Sequence, residues 1–318
     1  MRSTGATARL TLGLPVYNGE RFLAASLDAL LAQTFTDFEL IISDNGSTDG
    51  TGAIAGRYES IDPRVVYFRH PRNLGLAFNH NFVIEQAHGE FFKWVSDNDL
   101  YAPDLLQRCI DALDSRPEIV LAHAWTALID DTGQITNTLE YPLTTDVPDV
   151  VERFRSVLYT PGPGHDDIYG VIRMSVLRQL PPHGSHHLAD RTFVADLALH
   201  GPFHNVPDFL FFRRGHFMHV GWTASSIRRR CTNLDPRRAN RWRNPAVRLV
   251  AEYLLAYVAA IRRAPISPID RWRCEKELAV WIVRHADPMR KRRQLESSIR
   301  SQSPYKPATR VSLPDSKM

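Results

Sequence analysis

Over its first 125 residues the chain alternates segments of strand and helix period, and this restricts the fold more than any other feature. Residues 9–14 read as a short strand ending at Pro15. Asn18 or Gly19 then opens a helix whose apolar residues Phe22, Leu23, Leu27, Leu30 and Leu31 share one face. Residues 38–43 form a second strand, turned by Asp44-Asn45-Gly46, and Ser47, Thr48 or Asp49 can cap a helix to about residue 59. A third strand at 65–69 precedes a helix over 76–88 that carries Phe78, Phe82, Val83 and Ala87 inward. A fourth strand at 91–95 precedes a helix over 103–113. Pro103 suits its first position, where the missing N–H has no intrahelical partner to lose. Strands alternating with helices build βαβ units, so the fold class is α/β with a largely parallel sheet.

Beyond this the pattern changes. Residues 119–129 read as strand, Asp130-Asp131-Thr132-Gly133 as a turn and 134–138 as a returning strand. Residues 141–187 are rich in Pro, Gly and His around a helix near 150–158, the composition of a loop-bearing region over a cleft. Residues 189–200 read as a helix ended by Gly201-Pro202. Past Trp222 comes a basic, Trp-containing helical extension whose last residues, 301–318, read as disordered. The chain thus divides into 1–125 and 126–225, two halves of one sheet domain, and a C-terminal helical extension over 226–318.

Three cysteines, Cys109, Cys231 and Cys274, are few, odd in number and far apart. That argues against a disulfide framework and for a reducing, cytoplasmic compartment. The first 14 residues lack the apolar run of a secretory signal, and no window approaches the roughly 20 apolar residues needed to span a bilayer. The net charge of +4 conceals an asymmetry: residues 1–225 hold 17 Lys+Arg against 27 Asp+Glu, and residues 226–318 hold 22 against 8. Such a split suits an anionic surface met by the C-terminal part, or a solvated helical face.

The chemistry concentrates where Phe91-Phe92-Lys93-Trp94-Val95 runs into Ser96-Asp97-Asn98-Asp99. Side chains at the carboxyl end of a parallel strand emerge into the crevice where open α/β sheets bind ligands. Two carboxylates spaced i, i+2 there offer hard oxygen ligands to a divalent cation that also holds phosphates. An acidic turn after a strand is the plainer alternative for this string alone.

Four strings in register resemble family 2 glycosyltransferases, which have the GT-A fold, over roughly residues 8–220. They are Leu14-Pro15-Val16-Tyr17-Asn18-Gly19, Ser43-Asp44-Asn45-Gly46-Ser47-Thr48-Asp49-Gly50-Thr51, Arg72-Asn73-Leu74-Gly75 and Asp97-Asn98-Asp99. The resemblance implies that residues 1–125 bind a nucleotide-diphosphate sugar and 126–225 a hydroxyl-bearing acceptor, a glycan or a lipid-linked one. Pro15, Tyr17, Asn18 and Asn73 would lie against the nucleotide, Asp44 would accept a base N–H, and Asp97 would touch the ribose. Asp99, with Asp97, would bind Mg²⁺ or Mn²⁺. Asp190, at the start of a helix, falls where the family places its catalytic base, implying direct transfer with inversion; Asp166 and Asp167 are rivals. Phe211-Phe212-Arg213-Arg214-Gly215-His216 resembles the family's Arg-x-His element, which would bring His216 to the metal or diphosphate and Arg213 or Arg214 to phosphate oxygens.

His183, His186 and His187 lie close together, but no Cys-x-x-Cys or His-Glu-x-x-His spacing accompanies them, which argues against structural zinc. The apolar helix over 246–263 is interrupted by Arg248 and Glu252 and flanked by arginines. It suits packing on its own domain or on a second subunit, or a peripheral contact with the anionic inner face of a membrane. No nucleic-acid-binding motif accompanies the basic charge. A non-catalytic nucleotide-sugar or glycan-binding protein on the same fold is the competing reading of the whole chain.

Overall fold

The structure, a computed structural model, describes residues 8–140, 144–160, 166–215, 224–286 and 306–307. In chain order the first half runs β1 (Leu10–Val16), α1 (Leu23–Leu31), β2 (Phe38–Asp44), α2 (Thr51–Ile61), β3 (Val65–Arg69), α3 (Leu76–Glu85) and β4 (Phe91–Trp94). It continues with β5 (Leu100–Tyr101), α4 (Leu105–Ser115), β6 (Leu121–Ile129) and β7 (Ile135–Leu139). Then come α5 (Val150–Tyr159), a 3-10 turn (Asp166–Tyr169), β8 (Val171–Arg173), α6 (Met174–Leu177), α7 (Ala189–His200) and β9 (Phe203–Arg214). The remainder is α8 (Ala224–Leu234), α9 (Ala246–Arg263), α10 (Pro268–Ala286) and a two-residue β10 (Lys306–Pro307).

One mixed sheet carries all of this, in the order β10-β7-β6-β8-β4-β1-β2-β3, with β9 beside β6 and β5. The β4-β1-β2-β3 half is parallel throughout. In the other half, β6 pairs antiparallel with β7 and β8 and parallel with β9. The period of two along each strand sorts the core onto both faces. Leu10, Leu12, Leu14, Leu40 and Ile42 meet α1, α2 and α4 on one side, where Leu27, Leu30, Ile110 and Leu113 are fully buried. Ile41, Phe92, Trp94 and Leu121 meet α3, α5 and α7 on the other. That second core runs on into the C-terminal helices through Tyr253, Tyr257, Ile261, Leu278 and Trp281.

Several boundaries differ from the sequence reading, each for a local reason. β1 does not stop at Pro15. Pairing with β4 ends at Gly13, while pairing with β2 continues to Val16, so the proline removes no ladder bond on the β4 side. α1 begins at Leu23, not Asn18, because the Asn18 and Gly19 N–H groups donate to Ser47 Oγ and Thr51 Oγ1. Pro103 lies ahead of α4, its carbonyl taken by the Thr34 N–H. Phe78 is 39 % exposed rather than inward, edge-on to His70. The 141–187 stretch carries more regular structure than a loop-bearing region suggests, since β8 and α6 fall within it. The terminal stretch read as disordered lies outside the described residues apart from β10.

Candidate active site

The carboxyl ends of β4, β1 and β2 lie side by side, so the turns that follow them share one edge of the sheet. The turns after β1 and β2 are tied together. Asn18, at φ +54°, donates its N–H to Ser47 Oγ at 2.9 Å and accepts the Thr48 N–H at Oδ1, also at 2.9 Å. Glu20 N–H reaches Asp49 Oδ2, and Glu20 Oε2 in return accepts the Gly50 N–H. Asp49 also accepts the Thr51 N–H, ahead of α2. Any Cβ at Gly19 would collide with the Asp97 carboxylate, so glycine is what lets the β1 turn approach the end of β4.

Asp44 is fully buried at the end of β2. Its Oδ1 accepts the Ser47 N–H and its Oδ2 the Tyr67 hydroxyl, each at 2.8 Å, with Arg69 Nε 3.8 Å away. Burial and this carboxylate push the Tyr67 phenol well above its ordinary value. Asn73 accepts from Asn45 Nδ2 and the Gly75 N–H, which locks the turn before α3. Tyr17 and Asn18 are exposed at the crevice mouth and Pro15 is half-buried. Of the residues expected at the nucleotide, then, Tyr17, Asn18 and Asn73 are exposed, Asn73 with its amide oxygen engaged in the turn, whereas Asp44 is engaged within the fold.

Asp97 and Asp99 stand at the end of β4. Burial pushes the Asp97 carboxyl up, and the Asp49 charge adds to it. Burial also pushes Asp99 up to about 7, against the opposing pull of the Arg214 N–H, which donates to its Oδ1 at 2.8 Å. Two carboxyls held back from ionising by burial make a donor set short of positive charge, which a hard divalent cation fits. Among the described residues no cluster of three or more His, Cys, Asp or Glu forms a complete cage. A cation that also binds phosphates and water needs none. His216 lies outside the described residues.

Arg214 does not reach into the crevice. Its guanidinium donates to the Asn98 and Asp130 carbonyls and lies 4.3 Å from the Phe22 ring centroid, so it pins the Asp97–Asp99 turn to β9. Arg213 turns the other way and pairs with Asp166. Asp167 is buried with His123 Nε2 at 3.3 Å, so both rival bases are committed to cationic or imidazole partners. Burial pushes the Tyr169 phenol well above its ordinary value, opposed by the Arg213 charge and aided by those of Asp99, Asp190 and Asp166.

Asp190 occupies the first turn of α7 with its side chain 56 % exposed, and its Oδ1 lies 2.8 Å from His183 Nε2. His183 was not singled out by sequence beyond the zinc question. Its backbone is clamped by Asn81, whose Oδ1 accepts the His183 N–H and whose Nδ2 donates to the His183 carbonyl. Its ring is tilted against that of His80, with centroids 5.4 Å apart. His183 Nδ1 is buried with no partner among the described residues, so the ring fits the neutral tautomer that donates Nε2–H to Asp190. Burial pushes His80 and His187 down to about 4 and lowers His186. The signal available in the sequence was the density of histidines before Asp190; it carried no direction.

The family model described as Glycosyl transferase family 2 matches residues 11–180. An uncharacterized glycosyltransferase of Rickettsia typhi is 32 % identical over 114 residues, 36 % of this chain and 35 % of its own length. One of Haemophilus influenzae is 31 % identical over 124 residues, 39 % of this chain and 49 % of its own. These matches span about a third to a half of those relatives. Among solved structures, S. aureus TarS 1–349 in complex with UDP superposes with a TM-score of 0.57 at 18 % identity, covering 87 % of this chain and 71 % of that one. The likeness is one of fold.

Proposed function

The chain belongs to glycosyl transferase family 2, with the GT-A fold, and from that premise we propose that it moves a sugar from a nucleotide diphosphate to an acceptor hydroxyl. The observation that supports the reading is the Asp97–Asp99 turn after β4, with Asp99 buried and the Asp97 carboxylate held against Gly19 of the β1 turn. Asp99 and Asp97 would hold Mg²⁺ or Mn²⁺, with His216 as a further candidate ligand. Bound there, the metal supplies Lewis-acid neutralisation of the diphosphate leaving group.

This chain's own residues do the rest. Tyr17 and Asn18, with Pro15 behind them, offer a surface at the crevice mouth for the nucleoside. Asp44 and Asn73 hold the turns on which that surface rests. Arg213, paired with Asp166, is the candidate to meet phosphate oxygens, because Arg214 is spent on the Asn98 and Asp130 carbonyls. Asp190 takes the proton from the acceptor hydroxyl as it attacks, which inverts the anomeric carbon in one displacement. His183 donates to Asp190 Oδ1 and orients the other oxygen toward the acceptor. The acceptor is a glycan or a lipid-linked glycan of the cell envelope, or a glycosylated natural product.

Thermal stabilisation by UDP, dTDP and GDP, each with and without Mn²⁺, tests the site. A ligand at about 100 times its Kd adds roughly 2.7 kcal/mol. Asp99→Asn should lose the metal-dependent part. Asp190→Asn should keep it and lose transfer by about two orders of magnitude or more. No stabilisation by any nucleotide, or normal turnover in Asp190→Asn, would overturn the reading.

A further inference from the structure

We infer that the outer face of α9 and α10 docks on an anionic lipid surface. Each helix buries one face and exposes the other. In α9, Leu249, Tyr253 and Tyr257 face the domain, whereas Val247 and Leu255, two turns apart, point out. In α10, Cys274, Leu278 and Trp281 are buried, whereas Ile269, Trp272 and Val283 point out. With Trp242 in the turn before α9, these six large apolar side chains are between 62 and 83 % exposed. α9 packs on α7, α10 packs on α5, and α5 and α7 pack on each other. The outward faces of α9 and α10 therefore look away from the same layer and lie side by side.

The charge around them is predominantly positive, although Glu275 is exposed on α10 near Trp272. Residues 224–286 hold 14 Lys+Arg against 5 Asp+Glu. Four of those acids are answered within the fold: Glu252 by Arg238 and Arg248, Asp270 by Arg273, Asp235 by Arg237 and Glu277 by Arg155. Cations also ride on the exposed rings, with Arg241 5.2 Å from the Trp242 centroid and Lys276 5.6 Å from that of Trp272. Arg262 and Arg284 are exposed at the far ends of the two helices.

This combination selects the occupant. A second copy pressed on the same face would bring these cations against their own duplicates, which opposes association. A nucleic acid would answer the cations but leave Val247, Leu255, Ile269 and Val283 without a role. A bilayer with anionic headgroups takes both, the apolar row entering the acyl boundary and the cations meeting phosphates, with tryptophan at the interface. Among the described residues no helix is long and apolar enough to cross a membrane, so α9 and α10 lie on it.

Co-sedimentation of the full chain with vesicles tests this directly. Binding is expected to phosphatidylcholine vesicles containing about 30 % phosphatidylglycerol, not to pure phosphatidylcholine, and release is expected in about 0.5 M NaCl. The Trp272→Ser/Val283→Ser and Arg262→Glu/Lys276→Glu double variants should each lower partitioning by about tenfold or more. All four positions are exposed, so circular dichroism and nucleotide-induced stabilisation should stay at wild-type values; a loss there would indict the fold or the crevice instead. Failure of the wild type to bind anionic vesicles would overturn the inference, as would full binding by both variants. So would a concentration-dependent dimer that Trp272→Ser/Val283→Ser dissociates.

Discussion

Lys93 sits on β4, four residues before Asp97, and is 3 % exposed. Its Nζ donates to the Tyr169 carbonyl and lies 5.8 and 5.6 Å from the ring centroids of Tyr101 and Phe211. Burial pushes the ammonium down from the ordinary 10.5 to about 8, opposed by the nearby Cys109 and Asp99. That displacement corresponds to about 3 kcal/mol of unfavourable burial at neutral pH. The sign follows from proton counts. Between about pH 8 and 10.5 the unfolded chain holds a proton on Lys93 that the folded chain has released, so this group makes stability rise with pH through that window. Lys93→Met keeps an unbranched side chain and removes both the charge and the bond to Tyr169. Losing that bond costs about 1–3 kcal/mol, which the removed burial penalty matches or exceeds, so the variant should be at least as stable as wild type at pH 7. The decisive quantity is the stability gap between the two proteins, measured by urea unfolding at about pH 7 and 9.5. Other titrating groups, Cys109 included, largely cancel in that difference. The gap should narrow by about 2 kcal/mol at the higher pH. A gap unchanged within about 0.5 kcal/mol would refute the charged, buried state of Lys93.

Two further substitutions test the His183–Asp190 pair and the layer beneath α10. His183→Asn should lower kcat by about 10- to 100-fold with donor KM unchanged, since it removes the hydrogen bond to the Asp190 carboxyl. His183→Gln should recover part of the loss; a rise in donor KM at constant kcat would instead make His183 a donor-side residue. Asp149 caps α5, accepting the Val151 and Glu152 N–H groups at 2.8 and 3.0 Å, and it pairs with Arg273 of α10 at 3.1 Å. Asp149→Ala should cost about 1–2 kcal/mol in urea unfolding at pH 7. The Glu152 N–H bond, with Arg273 and the Val151 N–H, holds this carboxyl below its ordinary value. Its contribution is therefore complete above about pH 4 and disappears as pH falls through the folded value, so wild type and variant should converge in acid.

The parallel half of the sheet was legible because its signals are local. Val65–Arg69 reads as a strand, and does so with the same bounds, since a β-branched and aromatic run is flanked by turn residues. The α9 bounds are equally plain in the apolar period over 246–263. What escaped is set by distant partners. β8 has three residues and exists because β4 and β6 flank it. β5 has two residues and exists because β9 reaches it. The same distinction divides the candidate site. Asp97 and Asp99 announce themselves by spacing at a strand end. That Arg213 turns to Asp166 and Arg214 to the Asn98 and Asp130 carbonyls depends on the alternation of β9, whose register against β6 shifts at Trp125 and could not be counted from the sequence. His183 belongs to no regular element and reaches Asp190 through its clamp on Asn81 of α3, about a hundred positions away.

That long connection bears on how the two halves cooperate. The turn holding Asp97 and Asp99 is fixed from the second half of the sheet domain, where β9 supplies the N–H on Asp99 and the guanidinium on the Asn98 carbonyl. Conversely, the residue that addresses Asp190 is fixed from the first half, by Asn81. Each half thus positions a carboxylate of the other, and neither carboxylate could be placed by its own βα unit alone. Burial at Asp97 and Asp99 works against their ionisation, an arrangement that contributes nothing to stability and is expected where a site is built for an opposite charge. On the transferase reading, that reciprocal bracing holds donor phosphates and acceptor hydroxyl at a set separation, so a change at the β9 register should disturb both binding and transfer, whereas a change at His183 should disturb transfer alone.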